Sequence, residues 1–173
     1  MALALIALGS NVGDAPTHLR EAAELLSREI DVTAISEVYE TDPMYVLEQP
    51  KFLNAALAVH TDMGPLPLLA LLKRIEREVG RQSRERYGPR EVDLDLIAYG
   101  NLKYRFVRVG ETILEVPHPR TPERRFVLQP LHDLVPQVML PGLGSVESLL
   151  EATKQQAASV QRRVDVALSL HRV

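Results

Sequence analysis

The chain has 173 residues, 46% apolar and 25% charged, with a net charge of −3 and no cysteine. These totals suit one globular domain that buries its own core without covalent staples. They exclude a disulfide framework, thiolate metal sites and a cysteine nucleophile, and they argue against a surface given over to nucleic acid.

Leu3–Leu8 is an apolar run that stops at Gly9-Ser10-Asn11 and has no basic stretch before it. A buried first strand is expected there, not an export or membrane segment. Asp14 is placed to cap a helix with the apolar stripe Leu19, Ala22, Ala23, Leu26 and Ile30. Val32–Tyr39 predicts a second strand, and Thr41–Pro50, with Pro43 and Pro50, a loop. Leu53–Thr61 predicts a third strand, and Pro65–Val79 a second helix stopped by Gly80. Arg81–Arg90 reads as an arginine-rich loop, Val92–Tyr99 as a fourth strand, and Lys103–Arg108 with Thr112–Val116 as an edge hairpin. Short helical turns are expected in Pro122–Asp133 and a helix over Ser145–Leu170. No stretch is long and apolar enough to span a bilayer.

The order β-α-β-β-α-β over the first hundred residues predicts an α+β fold of the ferredoxin-like, split βαβ kind. Its antiparallel sheet is expected to carry helices on one face, with an extra C-terminal helix. Residues 1–144 are read as the catalytic domain and 145–173 as a helical extension packed on it.

Asp93-Leu94-Asp95-Leu96-Ile97 is the most informative segment. On a strand, Asp93 and Asp95 share one face and the leucines the other. Two carboxylates about 6.5–7 Å apart along a strand repel one another unless a cation lies between them. Magnesium suits such a pair, because it takes few protein ligands and completes its shell with water and phosphate oxygens. The alternative is a solvated strand face with two incidental acids. Just upstream, Arg81, Arg84, Arg86 and Arg90 stand against one acid, Glu85. Guanidinium forks bind phosphate oxygens bidentately, although a lone basic loop also serves merely to neutralise nearby acids. Glu76 borders the apolar stripe of its helix and needs a partner, either a loop arginine or a polar substrate. His118, held between Pro117 and Pro119 near Arg120, Arg124 and Arg125, is the histidine worth keeping. Neither the P-loop nor the dinucleotide fingerprint is present.

Together these residues resemble the 6-hydroxymethyl-7,8-dihydropterin pyrophosphokinase family of folate biosynthesis. The matching pieces are Leu8-Gly9-Ser10-Asn11, Tyr39-Glu40-Thr41-Asp42-Pro43, Phe52-Leu53-Asn54-Ala55, Arg74-Ile75-Glu76 and Gly80-Arg81. They continue through Gly88-Pro89-Arg90-x-x-Asp93-x-Asp95, Val116-Pro117-His118 and Arg124-x-Phe126. The resemblance implies transfer of pyrophosphate from ATP to the pterin's hydroxymethyl group, with two magnesium ions held by Asp93 and Asp95. It assigns Arg81 and Arg90 to catalysis with those acids. Glu76, Arg81, Arg86, Arg90, His118 and Arg124 would bind ATP. Thr41, Asp42, Pro43, Met44, Phe52, Asn54 and Phe126 would bind the pterin, the two phenylalanines sandwiching its ring. Ser83, Tyr87, Phe52 and Pro119 depart from the family's commoner residues, and Arg84 is the nearest substitute for an arginine missing at Ser83.

The expected partners are ATP and the pterin, with no nucleic acid and no membrane, in a cytoplasmic protein that is a monomer or a homodimer. An RNA-binding module of the same topology would need aromatic residues alternating on a central strand. None are found. An inactive relative retained for partner binding would keep the fold and release no AMP.

Overall fold

The computed structural model describes residues 1–80 and 86–170. Strand β1 (Ala2–Ser10) lies at the centre, antiparallel to β4 (Phe52–Thr61) on one side and β5 (Asp93–Tyr99) on the other. It is paired on both edges, and both its faces are buried over most of its length. Its apolar residues therefore run on without alternation from Ala4 to Leu8. Where one strand is predicted over 32–39, two form: β2 (Asp31–Ile35) pairs with Leu57–His60, and β3 (Tyr39–Thr41) with Phe52–Asn54. Ser36 makes the break. Its hydroxyl accepts from the Ala56 amide at 2.8 Å, a bond the strand backbone would otherwise make.

Helix α1 (Ala15–Ser27) starts at Asp14, whose carboxylate accepts from the Thr17 amide at 3.2 Å as predicted. Helix α2 (Pro65–Glu78) follows β4 and ends before Gly80, whose φ of 102° only glycine adopts freely. Both helices cover one sheet face, packing on Ile6, Leu8, Ala55, Leu57, Leu94 and Leu96. The hairpin β6 (Tyr104–Arg108) and β7 (Glu111–Val116) forms where predicted.

Helices are not confined to one face. Helix α3 (Arg125–Leu134) packs Val127 and Leu131 against Leu5, Ala7, Ala56, Ala58, Ile97 and Ala98 on the opposite side of the sheet. The short turns predicted there underrate it because Pro130 stands inside the helix. Burying Val127, Leu128 and Leu131 stabilises by about 1.5–3 kcal/mol each. That outweighs the roughly 3 kcal/mol cost of an interior proline.

The single C-terminal helix predicted over 145–170 is also replaced. After the small ladder of β8 (Met139–Leu140) and β9 (Gly144–Ser145) come α4 (Val146–Ala152), a 3-10 turn (Lys154–Ser159) and β10 (Val160–Arg162). β10 joins the sheet beside β3, giving the order β10-β3-β4-β1-β5 with β2 also on β4. Val160 counted toward a helical stripe, but the three-residue edge of β3 offers it a ladder. Val164, assigned to the same stripe, is 84% exposed.

Candidate active site

Helix α3 covers only half of its sheet face. Beyond it Ala7, Gly9, Phe52, Asn54, Asp93 and Asp95 form the floor of an open cleft of about 600 Å³. The register explains the grouping: Gly9 lies opposite Asn54 on β4 and Asp93 on β5, and Ala7 opposite Asp95. Strands lie roughly 4.8 Å apart, so the backbones of Asn54 and Asp93 sit about 10 Å from one another across the glycine. Gly9 is needed there. A Cβ at that position would come within 2.9 Å of the Asn54 Oδ1. The Asn54 amide is held at its other end by donating to the Thr41 Oγ1 at 2.6 Å.

Asp93 and Asp95 share the cleft side of β5 while Leu94 and Leu96 enter the core, as the alternation predicts. Arg90 Nη1 reaches Asp93 Oδ2 at 2.9 Å. Burial first, and the Asp93 charge second, push the Asp95 carboxyl up to about 7. Its side chain keeps part of its surface open to the cleft, where water tempers the shift without reversing it. A cation between the acids would offset that rise by favouring the charged form. Glu76 is elsewhere. It is 3% exposed behind β5, where its Oε1 accepts from the Leu94 amide at 2.8 Å and from Lys73 Nζ at 3.0 Å. It does not line the cleft, so a contact with ATP is not what this geometry offers.

Cations and rings form the opposite wall. His118, Arg120 and Arg124 come from the segment after β7, and Arg86, Tyr87 and Arg90 from the one before β5. The Arg120 amide donates to His118 Nδ1 at 3.2 Å, which leaves the proton on Nε2. Burial, with Arg124 second, lowers the His118 pKa to about 4, so the ring is neutral near pH 7. Arg90 lies over the Phe52 ring at 5.5 Å and Arg124 over Phe126 at 5.7 Å. Tyr45 stacks on Tyr87 with ring centres 4.5 Å apart. Arg120 sits over both rings at 5.1 Å.

Asn11 ties the surrounding loops together. Its Nδ2 donates to Gln49 Oε1 at 3.0 Å and to the Pro50 carbonyl at 2.9 Å, and its Oδ1 accepts from the Arg90 amide at 2.9 Å. Gln49 in turn donates to the Tyr87 carbonyl at 2.9 Å.

Of the residues singled out in the sequence, Thr41, Asp42, Met44, Phe52, Asn54, Arg86, Arg90, Asp93, Asp95, His118, Arg124 and Phe126 converge on this cleft. Pro43 is not among its lining residues and Glu76 stands behind it. Arg81, Ser83 and Arg84 lie outside the described residues. Tyr45, Gln49, Lys73 and Arg120 line the site although no role was assigned to them from the sequence. Only Arg120 had a signal, its place two residues after His118.

Among the described residues, no group of three or more His, Cys, Asp or Glu side chains forms a closed metal cage. Two carboxylates at an open cleft fit magnesium instead, since that ion keeps water and phosphate in its shell. An acid pair, several cations and aromatic rings thus line one cleft, side chains of the kinds that bind phosphate and flat rings.

Comparison with known proteins narrows that reading. The family described as 7,8-dihydro-6-hydroxymethylpterin-pyrophosphokinase (HPPK) matches residues 5–136. A pea (Pisum sativum) protein named "Folate synthesis bifunctional protein, mitochondrial" is 49% identical over 132 residues, covering 76% of this chain and 25% of the pea protein. The Bacillus subtilis 2-amino-4-hydroxy-6-hydroxymethyldihydropteridine pyrophosphokinase is 44% identical over 138 residues, covering 79% of this chain and 80% of that enzyme. The chain thus spans about a quarter of the plant protein and four-fifths of the bacterial one. A crystal structure of wild-type Plasmodium falciparum HPPK-DHPS superposes with a TM-score of 0.72 at 15% identity, over 87% of this chain and 44% of that one. At that identity the likeness speaks for the fold alone. The chain belongs to the HPPK family of pyrophosphokinases.

Proposed function

We propose that this chain transfers the β,γ-pyrophosphoryl group of ATP to the hydroxymethyl oxygen of 6-hydroxymethyl-7,8-dihydropterin, releasing AMP. One observation carries the residue assignment: the two acids and a set of arginines share one cleft with Phe52, Asn54 and Phe126, and Arg90 and Arg124 reach over the two phenylalanine rings. The pterin's hydroxyl oxygen forms a bond to the β-phosphorus as the bond from that phosphorus to the α,β-bridging oxygen breaks, and the hydroxyl proton passes to water. Chemistry of this kind asks the protein for alignment and charge stabilisation.

Asp93 and Asp95 are the residues that would hold two magnesium ions. When bound, the ions neutralise phosphate oxygens and polarise the β-phosphorus. Arg86, Arg90 and Arg124 supply guanidinium forks to the phosphate chain, with Arg81 in the same role by resemblance. His118, neutral and carrying its proton on Nε2, donates to a phosphate oxygen and does not act as base. Thr41 and Asn54 meet the hydrogen-bonding edge of the pterin, with Asp42, Pro43 and Met44 completing that end. Phe52 and Phe126 hold the ring's faces, each contributing about 1 kcal/mol beyond burial. The Tyr45–Tyr87 stack joins the loops over the cleft and limits access of water that would hydrolyse ATP.

Among the described residues no helix is long and apolar enough to cross a membrane. A cytoplasmic monomer acting on two small molecules is part of this reading. The test is release of AMP with ATP, magnesium and the pterin alcohol. Asp95→Ala is expected to lower the rate by about a thousandfold or more. Unchanged turnover in that variant would remove the acid pair from the chemistry.

A further inference from the structure

The segment beyond the family-matched residues 5–136 clasps both walls of the cleft's pterin end. Gln156 lies in the 3-10 turn that precedes β10. Its Oε1 accepts from the Arg125 amide at 3.2 Å and its Nε2 donates to the Glu123 carbonyl at 2.8 Å. One side chain thus grips the backbone on either side of Arg124 and just before Phe126. A few residues on, β10 pairs Val160 with Thr41, and the Ser159 carbonyl accepts from the Asp42 amide at 3.1 Å. Arg163 then closes the clasp. Its amide donates to the Val38 carbonyl at 2.8 Å, and its Nη1 meets Glu40 Oε2 at 2.8 Å. Asp165 holds the same guanidinium through Nε at 2.8 Å and Nη2 at 2.7 Å.

Without this partner β3 would be a three-residue edge strand leading directly into the cleft loop. Short edge strands fray, and Thr41 is the residue that orients Asn54. We infer that Gln156 and Arg163 are positioning residues, which set the pterin end of the site through Phe126 on one side and Thr41 on the other. Apart from Arg124, which Gln156 flanks, the phosphate end is independent of them. Asp93, Asp95 and Arg90 stand on or beside β5, which is the opposite edge of the sheet from β10. This inference rests on the pterin reading of the site.

Steady-state kinetics of Gln156→Ala, Arg163→Ala and Arg163→Lys test it, with the pterin and ATP varied in turn. Each alanine variant should raise the KM for the pterin about fivefold or more, the effect of losing one or two hydrogen bonds; Arg163→Ala should leave the KM for ATP within about twofold, and Gln156→Ala, which also frames Arg124, should raise it by less than it raises that for the pterin. Arg163→Lys, which keeps a charge beside Glu40, should restore most of the loss. Titration with the pterin in the presence of a nonhydrolysable ATP analogue, followed by pterin fluorescence, should show the same split without turnover. A parallel rise in both KM values that tracks a lower Tm would reduce the segment to general stability and overturn the inference. So would unchanged kinetics in all three variants. A wild-type protein that binds the pterin but releases no AMP would instead sink the reaction proposed above, and the titration would still judge the clasp.

Discussion

Arg90 and Asp93, three residues apart, face each other across 2.9 Å, and both side chains are less than one-fifth exposed. The arginine assigned to phosphate is paired with the acid assigned to a cation. The two charges hold one another in position within the cleft, and each is satisfied before any ligand arrives. Arriving together, a cation and a phosphate chain offer each a new partner of the right sign. Arg90→Lys keeps the charge and loses the fork that also donates from Nε to the Gly88 carbonyl at 3.2 Å. Its kcat/KM is expected to fall about tenfold or more, and Arg90→Ala further, as measured by AMP release.

Asp95 predicts a pH-dependent stability. Its folded pKa, raised from 3.8 to about 7, means that the native chain keeps a proton the unfolded chain has lost across that interval. The contribution is fully present below pH 3.8 and is lost as pH rises to about 7. Asp95→Asn, uncharged at every pH, should therefore stabilise the magnesium-free protein, with a gain that grows from pH 5 to pH 7 and then levels. A rise in Tm of about 5 °C at pH 8 is expected by differential scanning calorimetry. Added magnesium should raise the Tm of the wild type and leave that of the variant nearly unchanged. A gain that shrinks with rising pH would contradict the raised pKa.

His118 works in the other direction. Lowered from 6.5 to about 4, its pKa makes the unfolded state the one that binds the proton between those values, so its contribution to stability rises with pH over that window. Nitrogen-15 NMR at pH 6 should find the neutral ring with its proton on Nε2. His118→Gln, which can place an amide N–H near that position, should retain about tenfold more activity than His118→Ala. Equal loss in both variants would count against the donor role.

Glu76 separates support from substrate contact. If its carboxylate mainly holds the Leu94 amide, Glu76→Ala should destabilise the fold by about 2–4 kcal/mol in urea denaturation, with the KM for ATP changed less than threefold. Glu76→Gln keeps an acceptor and should lose less than half as much. A large rise in the KM for ATP with stability intact would return this residue to the nucleotide site.

Much of the site was legible because its signals are local. Asp93-x-Asp95 needs only the two-residue period of a strand to show that both acids face one way, and the burial of Leu94 and Leu96 agrees. Gly88-Pro89-Arg90 and Pro117-His118 are recognisable from residue type and order alone. Other features were hidden because they depend on partners far along the chain. Tyr45 and Tyr87 read as ordinary loop residues until they stack, and Asn11 reads as part of a turn until it bonds to Gln49, Pro50 and Arg90.

Periodicity, caps and proline positions act over a few residues, and they were enough to establish the α+β class, the main strands, the first two helices and the side of β5 on which the acids stand. Tertiary structure alone decided that α3 covers half of the second sheet face and leaves the other half open as the cleft. It also decided that Glu76 turns inward to a backbone amide, and that Val160–Arg162 adds a strand to the sheet instead of continuing a helix. In each of these cases the deciding energy comes from a surface or an unpaired edge assembled from distant segments, and no window along the chain contains both partners.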